Sequence, residues 1–334
     1  MKNRLLVAMF FLIMVFLKTA VYGQGVIFTK TTKLMGSRFE ITLVCEPQQS
    51  SDYLAMATEE ISRIEKIISS WDPASETSAI NRNAGIAPVK VSKMLYDLIQ
   101  RCQHISKITS GAFDISYAAI DPIWVFDGSM TSFPTSEALA ASIENIGYEK
   151  IILDAQAQTV FLKNKGMKIG FGAIGKGFAA DTTKLLLISK GVLAGIINAS
   201  GDLTTWGEKP DGTHWQVGIS NPENPSKVFS WFPVINAAVA TSGNYEKYVT
   251  LNAKRYSHII DPRTGLPVEG VKSVTVFAPK AELADALATA TFIMGVDVGM
   301  ATLAQLPGIS CIVVDAQNNI YYSKDLKVEP VKNR

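Results

Sequence analysis

Apolar residues recur along the chain at two different spacings, and these spacings predict where the helices and strands lie. Residues 27–44 are rich in Thr, Ile, Phe and Val, which predicts two strands that meet around Met35. Apolar residues at intervals of three and four then predict two amphipathic helices. One is capped by Asp52 and ends near residue 69, and the other covers residues 93–108.

The rest of the chain mixes both patterns, with neither an internal repeat nor a linker between two halves. The polar stretch 70–89 predicts a loop, and further helices are expected at about 136–146, 176–190 and 281–294. Short strands are expected at 150–154, 159–163, 167–171, 193–197, 215–219, 228–235, 274–277, 310–314 and 320–323. Strands arranged in hairpins among helices predict one mixed α+β domain over residues 24–334, built on an antiparallel sheet with flanking helices.

The first 23 residues differ from this pattern and are typical of a secretory signal peptide. A basic start at Lys2 and Arg4 precedes the uncharged apolar run 5–17, and small residues near Gly23 offer a cleavage site. The run has about 13 residues, whereas roughly 20 are needed to span a bilayer, so an uncleaved anchor is the weaker alternative. No cysteine near the site would take a lipid. We therefore expect an exported, periplasmic protein.

Charge and cysteine content exclude several classes of function. The formal net charge of +2 becomes −1 when cleavage removes Lys2, Arg4 and Lys18, so no basic excess favours nucleic acid as a partner. Three widely spaced cysteines, at positions 45, 102 and 311, form no C-x-x-C or Cys/His cluster and argue against a zinc site. We expect buried free thiols, and a disulfide in an oxidising compartment is the alternative.

A glycine-rich segment at 170–175 matches G-x-G-x-x-G between a predicted strand and a predicted helix. A dinucleotide fold would need an acidic residue about 20 positions on, where Lys190 stands, and an alternating βαβ pattern that is absent from the sequence. A P-loop would need Ser or Thr at Gly177. The features common to both motifs are nevertheless present. A flexible backbone, a helix N-terminus and Lys176 predict a phosphate site. Glycines used only for close packing are the alternative.

Two further groups carry candidate chemistry. Asp285 and Thr289 are four residues apart, so their oxygens share one face of the predicted helix and suit Mg²⁺ with phosphate oxygens completing its shell. Local capping or hydrogen bonding is the alternative for such a pair. His258 precedes a turn fixed by Pro262 and Gly265, where it is either a base, a phosphate donor or a structural residue.

Taken together, these segments resemble the ApbE family, the FAD:protein FMN transferases. The resemblance extends from about residue 32 to 315, and its motifs occur in the family's order at 35–37, 75–76 with 80–81, 110–114, 172–177, 198–202, 240–243, 258–265 and 284–289. It implies an ApbE/T-fold-like domain that splits FAD at its diphosphate, joins FMN to a threonine or serine of another protein and releases AMP. It also implies that Mg²⁺ is required, and that the target is typically a membrane redox-pump subunit facing the exported side.

The resemblance also implies roles for single residues. Asp285, Thr289 and the backbone carbonyl of Ala173 would hold Mg²⁺, Lys176 would support the phosphates, and His258 would take the proton of the incoming hydroxyl. The remaining predicted FAD contacts are Met35, Trp71, Ala112, Phe113, Asp114, Gly170 and Ile259. Gly170 stands where many members carry an aspartate that touches FAD, so that contact is missing or replaced.

Two other functions would use the same residues. A Mg²⁺-dependent FAD pyrophosphatase, giving FMN and AMP, would put water in the place of the acceptor hydroxyl. A non-catalytic flavin carrier would keep Trp71 and Asp114 but would not need the metal face. Residues 285–291 also loosely resemble a flavinylation motif, and we interpret them as the metal-binding helix because they are apolar.

Overall fold

The computed structural model describes residues 25–221, 224–245 and 247–326, so the predicted signal peptide lies outside the described residues. The strands are β1 (Val26–Leu34), β2 (Ser37–Cys45), β3 (Val89–Lys90), β4 (Ile151–Asp154), β5 (Thr159–Leu162), β6 (Ala194–Ala199), β7 (Asp202–Trp206), β8 (Trp215–Asn221), β9 (Asn224–Val234), β10 (Ala238–Gly243), β11 (Tyr248–Leu251), β12 (Lys254–Ser257), β13 (Ile260–Asp261), β14 (Leu266–Pro267), β15 (Val271–Ala278), β16 (Ser310–Asp315) and β17 (Ile320–Tyr322). The helices are α1 (Pro47–Ile68), α2 (Glu76–Arg82), α3 (Lys93–Ile108), α4 (Ser136–Ile143), α5 (Gly175–Ser189) and α6 (Ala281–Leu303).

A single large sheet organises the molecule. Its eight strands follow the order β1-β2-β6-β7-β10-β15-β16-β17, and each neighbouring pair is antiparallel. The predicted α+β class with an antiparallel sheet is therefore confirmed. A dinucleotide fold is excluded, because that fold requires parallel strands joined through crossover helices.

Each face of the sheet is covered by a different kind of element. Helices α1, α5 and α6 cover one face, and α1 contributes Ala57, Ile61, Ile64 and Ile68 at helical spacing to the core. The β8–β9 hairpin covers part of the other face, where Phe232 packs in a smaller cluster with residues of β7 and β10. The chemistry predicted from the sequence belongs to the helical side, because the glycine-rich turn leads directly into α5.

Helices α5 and α6 meet at their N-termini without room for a side chain between them. A Cβ atom on Gly177 would overlap the carbonyl oxygen of Ala281 and lie 2.5 Å from its carbonyl carbon. The Asp181 carboxylate accepts a hydrogen bond from the backbone N–H of Glu282 at 3.0 Å and so caps α6. This contact brings two helix starts, far apart in sequence, to the same place.

Two predicted boundaries differ from the structure for local reasons. Helix α1 begins at Pro47 and not at Asp52, because a proline is well accommodated in the first turn of a helix, where its missing N–H is not needed. The predicted loop 70–89 contains the short helix α2, whose N-cap Ser75 accepts a hydrogen bond from the Ser78 backbone at 2.9 Å. Seven residues are too few to show a helical period in the sequence.

The predicted strand at 167–171 is wrong, because these residues are not in a strand. There the Asn81 side chain makes the hydrogen bonds that a neighbouring strand would otherwise make. Its oxygen accepts from Ile169 N at 2.8 Å, and its nitrogen donates to Ile169 O at 3.0 Å. Gly170 N donates to Ile115 O at 2.9 Å. An extended backbone satisfied by a side-chain amide has the same sequence pattern as a strand.

Helix α6 is longer than predicted, although the expected end at residue 294 falls next to a real break. Gly295 has non-helical torsion angles (φ 79°, ψ 179°), and the helix continues beyond it to Leu303. By length and composition α6 is apolar enough to span a membrane, but most of its first half lies in the protein core. The three cysteines are buried free thiols, as expected.

Candidate functional site

A cavity of about 1100 Å³ opens where the glycine-rich turn, the start of α6, the 112–117 loop, the turn after β12 and the β8–β9 hairpin converge. The structure brings to its wall the predicted residues Trp71, Ala112, Phe113, Asp114, Gly170, Ala173, Lys176, His258, Ile259, Asp285 and Thr289. Met35 does not line it. Its side chain lies behind the start of α5, with Cε 3.6 Å from the position of a Cβ on Gly175. The expected contact of Met35 with FAD stays a prediction.

The bottom of the cavity is the N-terminus of α5. Its N-cap, Ile174, offers no side-chain acceptor, and the Asp285 carboxylate accepts from Gly177 N at 3.3 Å instead. Asp285 is only 5% exposed. A helix N-terminus carries a partial positive charge, so this contact favours an ionised carboxylate despite its burial.

Thr289 lies one turn after Asp285 on α6, and its hydroxyl is 3.1 Å from that of Ser242 on β10. Ala173 lines the same cavity at the turn that leads into α5, and its backbone carbonyl is the third predicted ligand. Carboxylate, hydroxyl and carbonyl oxygens are the ligands that Mg²⁺ prefers. The described residues contain no group of three His, Cys, Asp or Glu able to form a metal cage. The set therefore fits a cation whose shell is completed by phosphate oxygens and water.

Lys176 projects from the first turn of α5 and forms an ion pair with Asp202 at the start of β7. Asp202 is buried, and burial raises the pKa of its carboxyl while the Lys176 ammonium opposes that rise. The pair fixes the ammonium at the cavity wall. A phosphate that binds Lys176 therefore meets an ammonium group whose positive charge is already partly neutralised by Asp202.

Asp114 has a structural role that the sequence did not indicate. Its carboxylate accepts from Ser116 N at 2.8 Å, Ser116 Oγ at 2.6 Å and Tyr148 N at 2.7 Å. Burial raises the pKa of Asp114, and these hydrogen bonds oppose the rise. Because three donors already bind the carboxylate, its first effect is to shape the loop that presents Ala112 and Phe113.

His258 is oriented by one carbonyl group. Lys247 O lies 3.1 Å from His258 Nδ1 and also accepts from His258 N at 3.1 Å. A carbonyl oxygen only accepts, so Nδ1 carries the proton and Nε2 keeps its lone pair. Burial lowers the pKa of His258, the hydrogen bond to the Lys247 backbone opposes this, and the charges of Lys247 and Lys176 lower the pKa further. The imidazole is therefore neutral at pH 7 and suited to accept a proton.

Trp71 stands at the mouth of the cavity, 78% exposed. Lys168 Nζ lies 5.2 Å from the centre of its ring and 3.6 Å from Asp121 Oδ2. The ammonium thus makes a cation–π contact with one face of the ring. An indole supported in this way provides a flat surface for an aromatic ligand.

Other residues of the wall had no role in the sequence prediction. Asp202 and Ser242 fall within motifs that carried the resemblance, so a signal for them existed. The β8–β9 hairpin contributes Gln216 and Trp231, and the 112–117 loop contributes Tyr117. These three become visible only when the chain is folded, because nothing in their local sequence marks them.

Comparison with known proteins agrees with this geometry. The model of the ApbE family matches residues 35–313. Two relatives named FAD:protein FMN transferase are each 32% identical. The one from Treponema pallidum (strain Nichols) aligns over 268 residues, 75% of this chain and 73% of the relative. The one from Klebsiella pneumoniae (strain 342) aligns over 265 residues, 79% and 82%.

Similarity in three dimensions extends further along the chain. A solved structure of the ApbE protein from Thermotoga maritima has a TM-score of 0.84 and 29% identity, and the match covers 90% of this chain and 97% of that one. Sequence motifs, sheet order and the family match all lead to the same result. The chain belongs to the ApbE family.

Proposed function

We propose that this protein transfers FMN from FAD to a hydroxyl group of a threonine or serine on a partner protein, in a Mg²⁺-dependent reaction that releases AMP. The observation that carries the proposal is the shared cavity: Asp285, Thr289 and His258 face it together with the N-terminus of α5. The names of the two curated relatives support the same activity.

The diphosphate of FAD would lie at the start of α5. The backbone N–H groups of that helix and the Lys176 ammonium favour an anion there. Asp285, Thr289 and the carbonyl of Ala173 would hold Mg²⁺, which neutralises phosphate charge when it is bound. Trp71, Phe113 and Ile259 offer apolar surface for the rings of FAD. The protein thereby lowers the repulsion between the diphosphate and an approaching hydroxyl oxygen.

His258 would act as the general base. Its Nε2 takes the proton of the acceptor hydroxyl while that oxygen forms a bond to the phosphorus of the FMN half. The bond from this phosphorus to the bridging oxygen breaks, and AMP leaves with the bonding electron pair. A positioned base of this kind contributes about 10²- to 10⁴-fold to the rate.

The N-terminal segment supports a proposal on location, and the family resemblance supports one on the partner. We propose export to the periplasm and an acceptor domain that faces the same compartment, such as a subunit of a membrane redox pump. Fractionation of cells that produce the full chain tests the location. Recovery of the protein in the cytoplasm with residues 1–23 intact contradicts it.

One assay tests the reaction. The purified protein is incubated with FAD and Mg²⁺, with and without a partner fragment that contains the acceptor threonine. Flavin fluorescence that stays with the denatured fragment, together with one AMP per label, supports transfer. FMN and AMP released without labelling support a pyrophosphatase instead, and intact FAD supports a carrier. A fragment whose threonine is changed to alanine is the matched control.

A further inference from the structure

Tyr117 lies at the bottom of the cavity and has no part in the mechanism above. It belongs to the short 3₁₀ helix Ile115–Ile120, and its hydroxyl reaches the glycine-rich turn. A Cβ on Gly172 would lie 2.5 Å from the phenol oxygen, and one on Gly170 would lie 3.8 Å from it. Position 172 therefore leaves a space that the hydroxyl occupies and that a side chain there would remove.

The environment keeps a proton on this oxygen. Burial raises the pKa of Tyr117, the charges of Asp121 and Asp285 add to the rise, and the neighbouring Gly172 amide opposes it. No described residue accepts a hydrogen bond from the hydroxyl. A protonated phenol in a cavity wall, with no protein acceptor, is a hydrogen-bond donor available to a ligand.

The position of the hydroxyl indicates which part of a ligand it meets. It lies beside Gly172, which directly precedes Ala173 and the first turn of α5. This is the part of the cavity where backbone N–H groups and Lys176 favour an anion. The neighbouring carboxylates of Asp121 and Asp285 disfavour a second negative group on the protein, so a neutral donor suits this place.

We propose that the Tyr117 hydroxyl binds FAD directly by donating a hydrogen bond to a non-bridging oxygen of its diphosphate. The inference rests on the proposed function, because it takes FAD as the ligand. Tyr117 is then a substrate-binding residue that acts together with the N-terminus of α5, and the glycine at position 172 is needed to admit its hydroxyl.

Binding measurements on Tyr117→Phe test the proposal. Titration with FAD in Mg²⁺ is expected to show roughly 10-fold weaker binding, since a hydrogen bond to a charged group is lost. Binding of riboflavin, which has no phosphate, is expected to be unchanged. Tyr53→Phe is the matched control. Its phenol donates to Lys190 O at the far end of α5, outside the cavity, so it should bind FAD like the wild type.

A second variant tests the geometry independently. Gly172→Ala should weaken FAD binding in the wild-type background, because the new methyl group displaces the phenol oxygen. In the Tyr117→Phe background the nearest ring atom is 3.7 Å away, an ordinary contact, so the same change should add less than about 3-fold. Thermal unfolding of each variant verifies that the fold is retained.

Each result decides between the two proposals. If the wild type binds FAD and Tyr117→Phe binds it equally well, the role of Tyr117 is overturned while the proposed function stands. An equal loss for riboflavin and FAD also overturns it, because the hydroxyl would then act on the ring or on the shape of the cavity. If the wild type binds no FAD, both the proposed function and the inference fail.

Discussion

Two walls of the cavity differ in how they are held. The cavity floor, defined here as residues 172–177 with Asp285 and Thr289, forms where two helix starts are pressed together by contacts between distant parts of the chain. The histidine wall, defined as Lys247 with residues 258–262, is held by short-range hydrogen bonds next to strands of two to four residues. The floor contributes Ile174 to the protein core and the histidine wall contributes Ile259, whereas His258 itself is held by hydrogen bonds to Lys247.

This difference indicates how stability and chemistry are coupled. The floor shares its packing with the core, so a change in size there should affect both folding and the reaction. The His258 imidazole is oriented by Lys247 O, so its removal should have little effect on folding and the effect should be confined to the rate.

Asp285→Asn should reduce Mg²⁺-dependent transfer to background. The amide oxygen still accepts from Gly177 N, so the free energy of unfolding should change by less than about 1 kcal/mol, while the charge that attracts the cation is lost. Isothermal titration with Mg²⁺ in the presence of FAD, together with the transfer assay, measures both effects. Near-normal transfer would exclude Asp285 as a metal ligand.

His258→Ala should slow transfer by about 10²- to 10⁴-fold with FAD affinity retained, because the proton acceptor is removed while the diphosphate site stays intact. Its unfolding temperature should match that of the wild type. The control is His214→Ala, since His214 lies outside the cavity, 3.6 Å from Glu208. Equal transfer rates for the two variants would remove His258 from the mechanism.

The pH dependence of transfer provides a further test of His258. Its pKa is lowered by burial, so the base is neutral and active above a pKa that is below the ordinary value of about 6.5. The transfer rate should therefore be level near neutral pH and fall about tenfold per unit as the pH drops below that pKa. In His258→Ala this fall should disappear. A wild-type midpoint above 7 would contradict the expected direction of the shift.

Gly177→Ala should destabilise the protein by about 3 kcal/mol and lower transfer as well, because its methyl group meets backbone atoms of Ala281 that move only with α6. Gly175→Ala is the matched control in the same turn. Its nearest neighbour is Cδ1 of Ile68 at 3.1 Å, the end of a side chain and not a backbone atom. Denaturant unfolding should separate the two variants, and equal stability would mean that the floor is not coupled to the core.

The sequence predicted the sheet class, most helices and eleven of the residues that line the cavity, because each carries a signal in its local sequence. Hydrophobic spacing marks α3, whose predicted and observed bounds agree at 93–108. Asp285 and Thr289 could be paired because four residues make one helical turn. Asn81 shows the limit of this reasoning. Its side-chain amide makes the two backbone hydrogen bonds with Ile169 that a neighbouring strand would make. No local pattern in the sequence distinguishes that arrangement from a real sheet.

What the sequence did not reveal depends on contacts between distant segments. Tyr117 belongs to the site only because the 3₁₀ helix lies against the glycine-rich turn. The ion pair between Asp202 and Lys176 forms only because β7 starts beside α5 in the folded chain. The hydrogen bonds that Asp114 accepts from Ser116 and Tyr148 were also not predictable from the sequence, and its contact with FAD stays a prediction.

Trp71→Ala should give the smallest effect of these variants. The side chain is 78% exposed, so the free energy of unfolding should change by no more than about 0.5 kcal/mol. Loss of one stacking surface should weaken FAD binding about 5- to 10-fold. Trp71→Tyr should bind nearly as well as the wild type, because a ring remains over Lys168.

Trp231→Ala probes the other exposed indole of the wall, which the β8–β9 hairpin supplies. If that variant loses FAD affinity and Trp71→Ala does not, the flavin rings lie against the hairpin. In that case Trp71, at the mouth of the cavity, would be available to contact the acceptor protein instead of the flavin.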